Sequence, residues 1–465
     1  PSSPSDPSSP SDPSSPSDPS SPTITSEPMP ECQTNDDCGD LYCGYCFDGV
    51  CQESPGCCGY DGLTPAHATG WRCQPPFDCY SDMDCGYNYA CAFNFCSPVP
   101  IVALGPCKPL ALSTSEWNLS QSPGAFVLVD LDGDMDLDLA VAEPGVAQIE
   151  VALNDGAGNF KLAGAFPVGL PSDHLAIAAG DLDLDGDIDL AVTRREDGSL
   201  VLLFGQDAVF TPAAPLFGVP QVEQVFIADV DLDSVPDLVT LGTGDPPVST
   251  WRGDGKGGFA PELSSSLGSL AAPMASLVEM TEQFPPDLLV PLPESSSVGL
   301  YSGSPEGVFS ELRIFGQQSP PTAAYGVDVD TELDPGAFKD VISVRATPGG
   351  GAATVWRGEG VGQWAAIPTI FTGSMPLLGG AMASFEDEDG GNGVGEDLVM
   401  ATGQALVAVW PGDDVGGFAC ERTIPVSAMT SPGLIAVGDV DGNGLPDIVV
   451  GHITGGTVTV LRQQP

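Results

Sequence analysis

Apolar residues along this chain occur in short runs that are separated by acidic or glycine-rich stretches. The run at Ala125–Val129 is followed by an acidic stretch and then by a second apolar run at 139–142, and similar pairs recur to the end of the chain. Short apolar runs bounded by turn-forming residues are typical of β-strands. No run approaches the length of about 18 residues that a membrane-spanning helix needs, so the sequence predicts an all-β chain without a transmembrane segment.

The acidic stretches share one spacing. Carboxylates stand at relative positions 1, 3, 5 and 9, and a backbone carbonyl is free to turn inward at position 7; together these supply the six or seven oxygens that Ca²⁺ prefers. Without a cation, carboxylates this close would repel one another. We name the stretches by repeat and predict calcium ligands at Asp130, Asp132, Asp134, Asp136 and Asp138 in loop 1, at Asp181, Asp183, Asp185, Asp187 and Asp189 in loop 2, at Asp229, Asp231, Asp233, Val235 and Asp237 in loop 3, and at Asp439, Asp441, Asn443, Leu445 and Asp447 in loop 7.

Three weaker copies complete the series. Loop 5 contains Asp328, Asp330 and Glu332 and closes late at Asp340, and loop 6 contains Glu386 and Glu388 and closes late at Asp397. Loop 4, at 279–287, has lost most of its oxygens. We therefore expect metal in loops 1, 2, 3 and 7, two further sites in loops 5 and 6, and none in loop 4. On this basis Asp185→Ala should weaken its repeat, and Asp287→Ala in loop 4 should matter much less.

The first acids of the seven loops lie at positions 130, 181, 229, 279, 328, 386 and 439. Repeats of about 50 residues built from short strands are typical of β-propellers, because one repeat cannot bury its own faces. About 25 residues after each acid comes a second landmark, an apolar strand with a glycine-rich turn and an aromatic residue, as in Trp251 to Phe259. Glycine supplies the positive φ angles of such hairpins. The predicted repeat is inner strand, acid loop, second strand, third strand, glycine hairpin and outer strand.

The seventh repeat ends one strand early. Residues 108–114 resemble the outer strand at 160–166, so we expect them to complete the last blade and to remove its free edge. The predicted propeller domain is therefore 105–465.

The acid loops and glycine hairpins resemble the FG-GAP/VCBS repeats found in integrin α-subunit heads, many secreted bacterial proteins and some fungal lectins. The resemblance covers about 360 of 465 residues. It implies a seven-bladed β-propeller with cations on one face, held by Asp130, Asp132, Asp134, Asp138 and their counterparts. It implies no single activity, because family members adhere, bind glycans, assemble or occasionally catalyse.

Two segments precede the predicted propeller. Residues 1–30 repeat Pro-Ser-Ser-Pro-Ser-Asp and favour an extended polyproline II segment, which is either a linker or a glycosylated or packed arm. Residues 31–104 form a cysteine-rich module. Since 13 of 14 cysteines lie from Cys32 to Cys107, we expect a disulfide framework in an oxidising compartment, although Cys43 and Cys46 offer a zinc or redox alternative. Cys107 and Cys420 could form a clasp. The start at Pro1, without an initiator Met or apolar signal region, suggests a processed or incomplete N-terminus.

The net charge of the chain limits the classes of partner that it can bind. The 64 acids and 13 bases give a net charge of −51, so nucleic acid and anionic membranes are poor partners, and cations, basic proteins and neutral glycans stay open. Arg252-Gly253-Asp254 matches an adhesion tripeptide, yet it lies in a glycine hairpin whose turn chemistry explains it. Asn118-Leu-Ser120 is an N-glycosylation sequon.

Catalysis has little support in the sequence. The three histidines, His67, His174 and His452, belong to no catalytic motif, and a pair of acids elsewhere would be needed for glycosidase chemistry. We expect a non-enzymatic extracellular structural or interaction protein, in which calcium stabilises a platform for self-association or for cell-surface and matrix proteins. A glycan-binding or adhesive module is the alternative, and a carbohydrate-active enzyme is the least favoured reading.

Overall fold

The computed structural model describes residues 109–464 except for several short internal stretches, together with five short strands upstream. The undescribed internal stretches are 219–220, 268–273, 281–284, 318–319, 328–338, 348–349, 361–362, 367–368, 372–376, 386–395, 403–404, 413–417, 419 and 427–430. The Ser/Pro segment, Cys107 and most of the cysteine-rich segment lie outside the described residues. The chain separates into two compact units, 1–76 and 77–465. The three domain boundaries drawn from the sequence stay predictions.

The upstream strands form two hairpins and one added strand. In the first unit, β1 (Gly44–Phe47) pairs with β2 (Val50–Glu53). In the second unit, β3 (Tyr89–Ala92) pairs with β4 (Phe95–Pro98). The two hairpins share a register in which Cys46 lies opposite Cys51 and Cys91 lies opposite Cys96. The last upstream strand is β5 (Ile101–Val102).

Downstream, the strands form seven antiparallel sheets, one for each predicted repeat. Blade 1 contains β7 (Ala125–Val129), β8 (Asp138–Glu143), β9 (Gln148–Leu153) and β10 (Lys161–Pro167). Blade 2 contains β11 (Leu175–Gly180), β12 (Asp189–Arg194), β13 (Ser199–Gln206), β14 (Val209–Pro212) and β15 (Leu216–Phe217). Blade 3 contains β16 (Val222–Ala228), β17 (Asp237–Gly242), β18 (Val248–Gly253) and β19 (Phe259–Ser265). Blade 4 contains β20 (Ser276–Val278), β21 (Asp287–Leu292), β22 (Ser297–Gly303) and β23 (Phe309–Gly316).

The remaining three blades follow the same plan. Blade 5 contains β24 (Pro321–Val327), β25 (Asp340–Thr347), β26 (Gly350–Gly360), β27 (Gln363–Ala366) and β28 (Thr369–Phe371), and β5 pairs in parallel with β28. Blade 6 contains β29 (Leu377–Ala383), β30 (Asp397–Thr402), β31 (Leu406–Trp410) and β32 (Arg422–Pro425). Blade 7 contains β33 (Pro432–Gly438), β34 (Asp447–His452) and β35 (Thr457–Gln463).

The predicted blade plan is confirmed. In every blade the acid loop joins the innermost strand to the second strand, and the second strand begins at the last aspartate of its loop. Inner strands of most neighbouring blades contact one another, Gln224 of β16 bonds to Ala275 just before β20, and β33 of blade 7 contacts β7 of blade 1. Loops 1, 2, 3 and 7, which the structure describes in full, therefore lie on one face of a closed seven-bladed ring.

Blade 7 is completed by β6 (Leu112–Asn118), which pairs antiparallel with all seven residues of β35. Closure by a strand that precedes blade 1 was predicted from the sequence. The predicted strand at 108–114 was about four residues too early. The observed register places Asn118 opposite Thr457 and Leu112 opposite Gln463. The pairing joins the two ends of the propeller and removes an edge that could otherwise aggregate.

The hydrophobic core is divided into seven clusters, and each cluster lies between two adjacent blades. The second strands are consequently buried along their whole length, as in β8, β12 and β17. A strand buried on both faces needs a continuous apolar run rather than an alternating pattern. This explains why the sequence shows apolar runs directly after the acid loops.

The contribution of β6 to propeller stability can be tested by substitution of Trp117. Trp117 lies opposite Val458 and packs against the cluster between blades 7 and 1. We expect Trp117→Ala to lower the free energy of unfolding by about 2 to 3 kcal/mol, because a large half-buried ring is lost. Thr114→Ala in the same strand is the matched control, since Thr114 is exposed and should change stability by about 0.5 kcal/mol at most. Equal effects of both variants in urea denaturation would contradict this closure.

Helix is scarce in the part of the chain that the structure describes, where a single 3-10 turn occurs at Pro293–Ser295. None of the helical structure found there has the length and apolar character needed to cross a membrane.

Candidate metal centres

Backbone conformation explains how loops 1, 2, 3 and 7 are built. In each loop the fourth and sixth residues have positive φ angles, so the chain turns repeatedly within nine residues. These residues are Gly133 and Met135, Leu184 and Gly186, Leu232 and Ser234, and Gly442 and Gly444. Left-handed conformations favour glycine and cost other residues about 1 kcal/mol or more. Four non-glycine residues adopt this conformation here, so the surrounding loop enforces it.

This turning brings three carboxylates together in each of the four loops. The first, third and ninth residues each place one oxygen in a group whose members all lie within 4.8 Å of one another. The groups are Asp130, Asp132 and Asp138; Asp181, Asp183 and Asp189; Asp229, Asp231 and Asp237; and Asp439, Asp441 and Asp447. The four loops predicted to be good sites are therefore those in which carboxylates cluster among the described residues.

Side chains at the first position organise the loop backbone. Asp181 accepts hydrogen bonds from the N–H groups of Asp185 and Gly186, both at 3.1 Å, and Asp439 accepts from Asn443 and Gly444. Asp229 accepts the equivalent pair from Asp233 and Ser234, and Asp130 accepts from Gly133 and Met135. The loop amides therefore point inward toward this carboxylate, which fixes its orientation.

Side chains at the fifth position lie outside the three-carboxylate groups. Asp134, Asp185 and Asp233 instead accept a hydrogen bond from the N–H of the seventh residue, at 2.9, 3.0 and 2.8 Å, and Asn443 does so from Leu445 at 2.7 Å. Each such bond turns the seventh residue, namely Asp136, Asp187, Val235 or Leu445, within the loop. Their role as calcium ligands stays a prediction.

The ninth residue, which we call the closing aspartate, has a structural role that recurs in all seven blades. One carboxylate oxygen accepts a hydrogen bond of 2.7 to 3.1 Å from a backbone N–H near the end of the third strand. The closing aspartates are Asp138, Asp189, Asp237, Asp287, Asp340, Asp397 and Asp447, and all are buried. Their second oxygen commonly accepts from the residue after the first acid, as Asp138 does from Leu131 at 2.9 Å.

Burial also shifts the pKa of the closing aspartates in loops 1, 2, 3 and 7. It raises the pKa of Asp138, Asp189, Asp237 and Asp447 to about 6, and the two backbone hydrogen bonds offset only part of that increase. Neighbouring loop carboxylates raise these pKa values further. The protein therefore supplies too little positive charge for these aspartates, and a cation in the loop would supply it.

Loops 4, 5 and 6 keep the closing aspartate. Asp340 and Asp397 hold the third strands of blades 5 and 6 through Gly358 and Gly412, at 2.8 and 3.0 Å. The other predicted ligands of these blades, Asp328, Asp330, Glu332, Glu386 and Glu388, lie outside the described residues. In loop 4, Asp287 accepts from Gly303 at 3.1 Å and from the backbone of Met280, although this loop has lost most of the oxygens of the calcium pattern.

Two carboxylate oxygens show that the clusters fit a cation. Asp183 Oδ1 and Asp441 Oδ1 are buried and have no hydrogen-bond partner. Both belong to third-position residues of a three-carboxylate group. An unpartnered buried carboxylate oxygen is costly unless a cation or a donor satisfies it. The donor set consists of hard carboxylate oxygens, which suits Ca²⁺ better than Zn²⁺ or Cu²⁺.

Loop 3 differs from the other three in a way that the sequence did not reveal. Arg252 Nε lies 3.1 Å from Asp231 Oδ2, so a basic side chain reaches the third position of this loop. Arg252 also donates from Nη2 to the carbonyl oxygen of Glu306 in blade 4 at 2.9 Å. No spacing rule links residues 231 and 252, which explains why sequence analysis missed the pair.

The Arg252-Gly253-Asp254 tripeptide belongs to the fold, as its turn chemistry suggested. A Cβ on Gly253 would lie 2.3 Å from the carbonyl oxygen of Pro236, so only glycine fits. Asp254 Oδ1 accepts from the N–H groups of Lys256 and Gly258, both at 2.9 Å, and these bonds lower the pKa of Asp254. All three residues therefore maintain the hairpin and its contacts.

A pair of buried acids is present in blade 1. Glu143 and Glu150 are 0% and 5% exposed. Glu143 accepts hydrogen bonds of 2.7 Å from Ser120 Oγ, Gln121 N and Gln148 Nε2. Burial and then the charge of Glu143 raise the pKa of Glu150. Because these bonds tie the segment after β6 to blade 1 and leave almost no exposed surface, the pair supports propeller closure rather than hydrolysis.

The two described histidines also have contacts within the fold. His452 is fully buried and its Nε2 lies 2.8 Å from Thr459 Oγ1. His174 Nε2 lies 2.9 Å from the carbonyl oxygen of Glu223 in the next blade. Both contacts agree with the packing role expected from the sequence, and His67 lies outside the described residues.

Comparison with known proteins supports the same fold. The family model described as "FG-GAP-like repeat" matches residues 130–192, which include loops 1 and 2. Two crystal structures of BBS1N in complex with ARL6DN, one soaked with mercury and one with lead, are similar to this chain. Their TM-scores are 0.55 and 0.56, with 10% and 9% sequence identity, and each covers 77% of this chain and 98% of the other. No curated protein sequence matches the chain.

These findings confirm an FG-GAP-like repeat and an all-β, seven-bladed propeller. At such low identity the likeness to BBS1N concerns the fold alone. The FG-GAP match includes the two loops in which each of the five odd positions carries an aspartate.

Proposed function

We propose that the chain is a non-enzymatic extracellular interaction protein whose propeller is a calcium-stabilised platform for self-association or for cell-surface and matrix partners. The observation that carries this proposal is the set of four three-carboxylate groups on one face of the ring. The buried, unpartnered oxygens of Asp183 and Asp441 support it further, because they point to a missing positive charge.

Calcium would act on the fold rather than on a substrate. Asp130, Asp132 and Asp138, and their counterparts in loops 2, 3 and 7, would hold the ions. Since each closing aspartate also bonds the third strand, an ion in the loop would link the inner, second and third strands of one blade. When bound, calcium supplies charge neutralisation and rigidity.

An extracellular setting follows from the affinity expected of such sites. Extracellular calcium modules bind with dissociation constants of about 10⁻⁴ to 10⁻³ M, which cytosolic calcium would not saturate. Cys420 is disulfide-bonded. Disulfides persist in oxidising compartments, which favours the same location.

A platform role agrees with the shape of the fold and with its similarity to other propellers. BBS1N, which shares the fold, is found in complex with another protein. In blade 5, the outer strand β28 has accepted a further strand, β5. The net charge of −51 makes basic proteins or calcium-bridged surfaces better partners than nucleic acid.

Negative-stain electron microscopy of the purified protein tests this proposal, in about 2 mM calcium and again after chelation. We expect ordered assemblies in calcium that disperse or fray after chelation. A matched control is a variant in which Asp132, Asp183, Asp231 and Asp441 are each replaced by Asn. Discrete single propellers in both conditions would contradict self-association, and a glycan and protein ligand screen would then test the alternative of a recognition module.

A further inference from the structure

A basic side chain, Arg252 of β18, forms an ion pair with Asp231 of loop 3. In the described part of the chain, loops 1, 2 and 7 have no such ion pair. Arg252 precedes Gly253, whose N–H bonds the closing aspartate Asp237 at 2.9 Å, so its backbone position relative to the loop is fixed. Its side chain is 33% exposed, and that of its partner Asp231 is 7% exposed. The ion pair is thus mostly shielded from water, where it interacts more strongly than a surface pair.

The other three loops provide the comparison. The residue equivalent to Arg252, which precedes the N–H donor to the closing aspartate, is Leu153 in blade 1, Phe204 in blade 2 and Arg462 in blade 7. Arg462 does not reach its loop. Its Nη1 donates to the carbonyl oxygen of Ala157 in blade 1, and Asp441 Oδ1 stays without a partner. Among the four clustered loops, loop 3 alone therefore has an internal cation at the third position.

Formal charge separates loop 3 from loops 1 and 2 in the same direction, whereas loop 7 has the same formal charge as loop 3 with Arg252. Loops 1 and 2 each contain five aspartates, and loop 3 contains four aspartates with Arg252 beside them. Loop 7 contains three aspartates and Asn443, without a basic partner. Calcium affinity in such loops depends on the number of ligand charges and on rigidity. A guanidinium beside the site repels Ca²⁺ and also occupies Asp231 Oδ2.

We propose that Arg252 is a built-in counter-ion that makes loop 3 a weaker calcium site than loops 1 and 2 and keeps that loop ordered when calcium is absent. This inference rests on the proposed calcium binding. Arg252 contacts loop 3 through Asp231 and blade 4 through the carbonyl oxygen of Glu306. The calcium-free propeller therefore retains a link between blades 3 and 4 that involves the acid loop, whereas loops 1 and 2 have no comparable basic residue.

Hydrogen exchange read by mass spectrometry resolves the loops individually. The full-length protein is equilibrated over a series of free calcium concentrations, and the exchange midpoint is read for peptides spanning 130–138, 181–189, 229–237 and 439–447. We expect the midpoint of loop 3 to lie at about tenfold higher calcium than that of loop 2, because of the added positive charge. Without calcium, loop 3 should exchange more slowly than loops 1 and 2.

Three variants test whether the charge of Arg252 causes the higher calcium midpoint of loop 3. Arg252→Gln should lower the loop 3 midpoint by about tenfold and leave the other loops unchanged. Arg252→Lys retains the charge and should keep the midpoint high. Arg462→Gln is the matched control, since it removes the equivalent arginine of blade 7 without removing a loop ion pair, and should shift no midpoint.

The possible outcomes distinguish a failure of the proposed Arg252 role from a failure of calcium binding. If loops 1, 2 and 7 respond to calcium but loop 3 matches loop 2, or if Arg252→Gln leaves the loop 3 midpoint unchanged, the role of Arg252 is wrong and calcium binding stands. If no loop changes its exchange with calcium, the proposed function and this inference both fail. If Arg252→Gln proves unstable, an unshifted high midpoint in Arg252→Lys supports the charge argument, and a midpoint that falls to that of loop 2 overturns it.

Discussion

Removing calcium should lower the thermal unfolding midpoint of this protein by about 4 to 10 °C. Each ion bound at a dissociation constant of about 10⁻⁴ to 10⁻³ M contributes about 0.7 to 1.8 kcal/mol at 2 mM calcium. Four sites therefore contribute about 3 to 7 kcal/mol in all. For a domain of about 350 residues, this free energy converts to the stated change in midpoint.

Differential scanning calorimetry in calcium and in chelator measures this effect. Magnesium at the same concentration is a useful control, because it prefers to keep its waters and demands octahedral geometry, so it should restore little stability. A variant with Asn at positions 132, 183, 231 and 441 should show a much smaller difference in unfolding temperature between calcium and chelator. An unchanged midpoint for the natural sequence would show that the loops do not bind calcium under these conditions.

Asp287→Ala should be strongly destabilising even though loop 4 is not expected to bind metal. Asp287 is 3% exposed and accepts hydrogen bonds from the backbone of Gly303 and of Met280. Each buried donor that loses its acceptor costs about 1 to 3 kcal/mol, so we expect a loss of about 2 to 5 kcal/mol. The loss should be equal with and without calcium, because it arises from strand pairing rather than from ion binding.

Glu279→Ala provides the matched control in the same loop. Glu279 is exposed, so its removal should change the free energy of unfolding by about 0.5 kcal/mol at most. Asp185→Ala in loop 2 provides the opposite comparison, because the loss of unfolding free energy that it causes should be larger in calcium than in chelator. If Asp287→Ala were as mild as Glu279→Ala in urea denaturation, the structural role of the closing aspartate would be wrong.

The expectation drawn from the sequence for Asp287 is reversed by the structure. Spacing identified the ninth position as a metal ligand, and loop 4 lacks most of the other oxygens, so Asp287 was expected to matter little. In the structure the same carboxylate fastens the third strand in all seven blades, through a donor 15 to 18 residues away. Asp287 therefore keeps its structural role in loop 4, although metal binding is not expected in this loop.

Repeat number, blade plan and the clustered loops could be predicted because they depend on local spacing. Nine consecutive residues determine where the carboxylates of one loop meet, and the distances between loops give the number of blades. Closure by an upstream strand was also predictable, since blade 7 is visibly short. Its register was not, because pairing of Ser115 with Val460 depends on contacts across the whole ring.

The Arg252 and Asp231 pair could not be predicted for a different reason. Arg252 and Arg462 occupy equivalent positions in their blades, yet one reaches its acid loop and the other reaches the next blade. The choice depends on side-chain rotamers and on the neighbouring hairpin, which the sequence pattern does not specify.

We propose that loops 1, 2, 3 and 7 bind calcium and that the bound ions stabilise the platform. Direct measurement of bound calcium per chain, by equilibrium dialysis and atomic absorption at about 2 mM free calcium, tests it most simply. We predict at least four ions for the natural sequence, and four fewer after Asn replaces Asp132, Asp183, Asp231 and Asp441. No bound calcium, or equal amounts in the two proteins, would contradict the account.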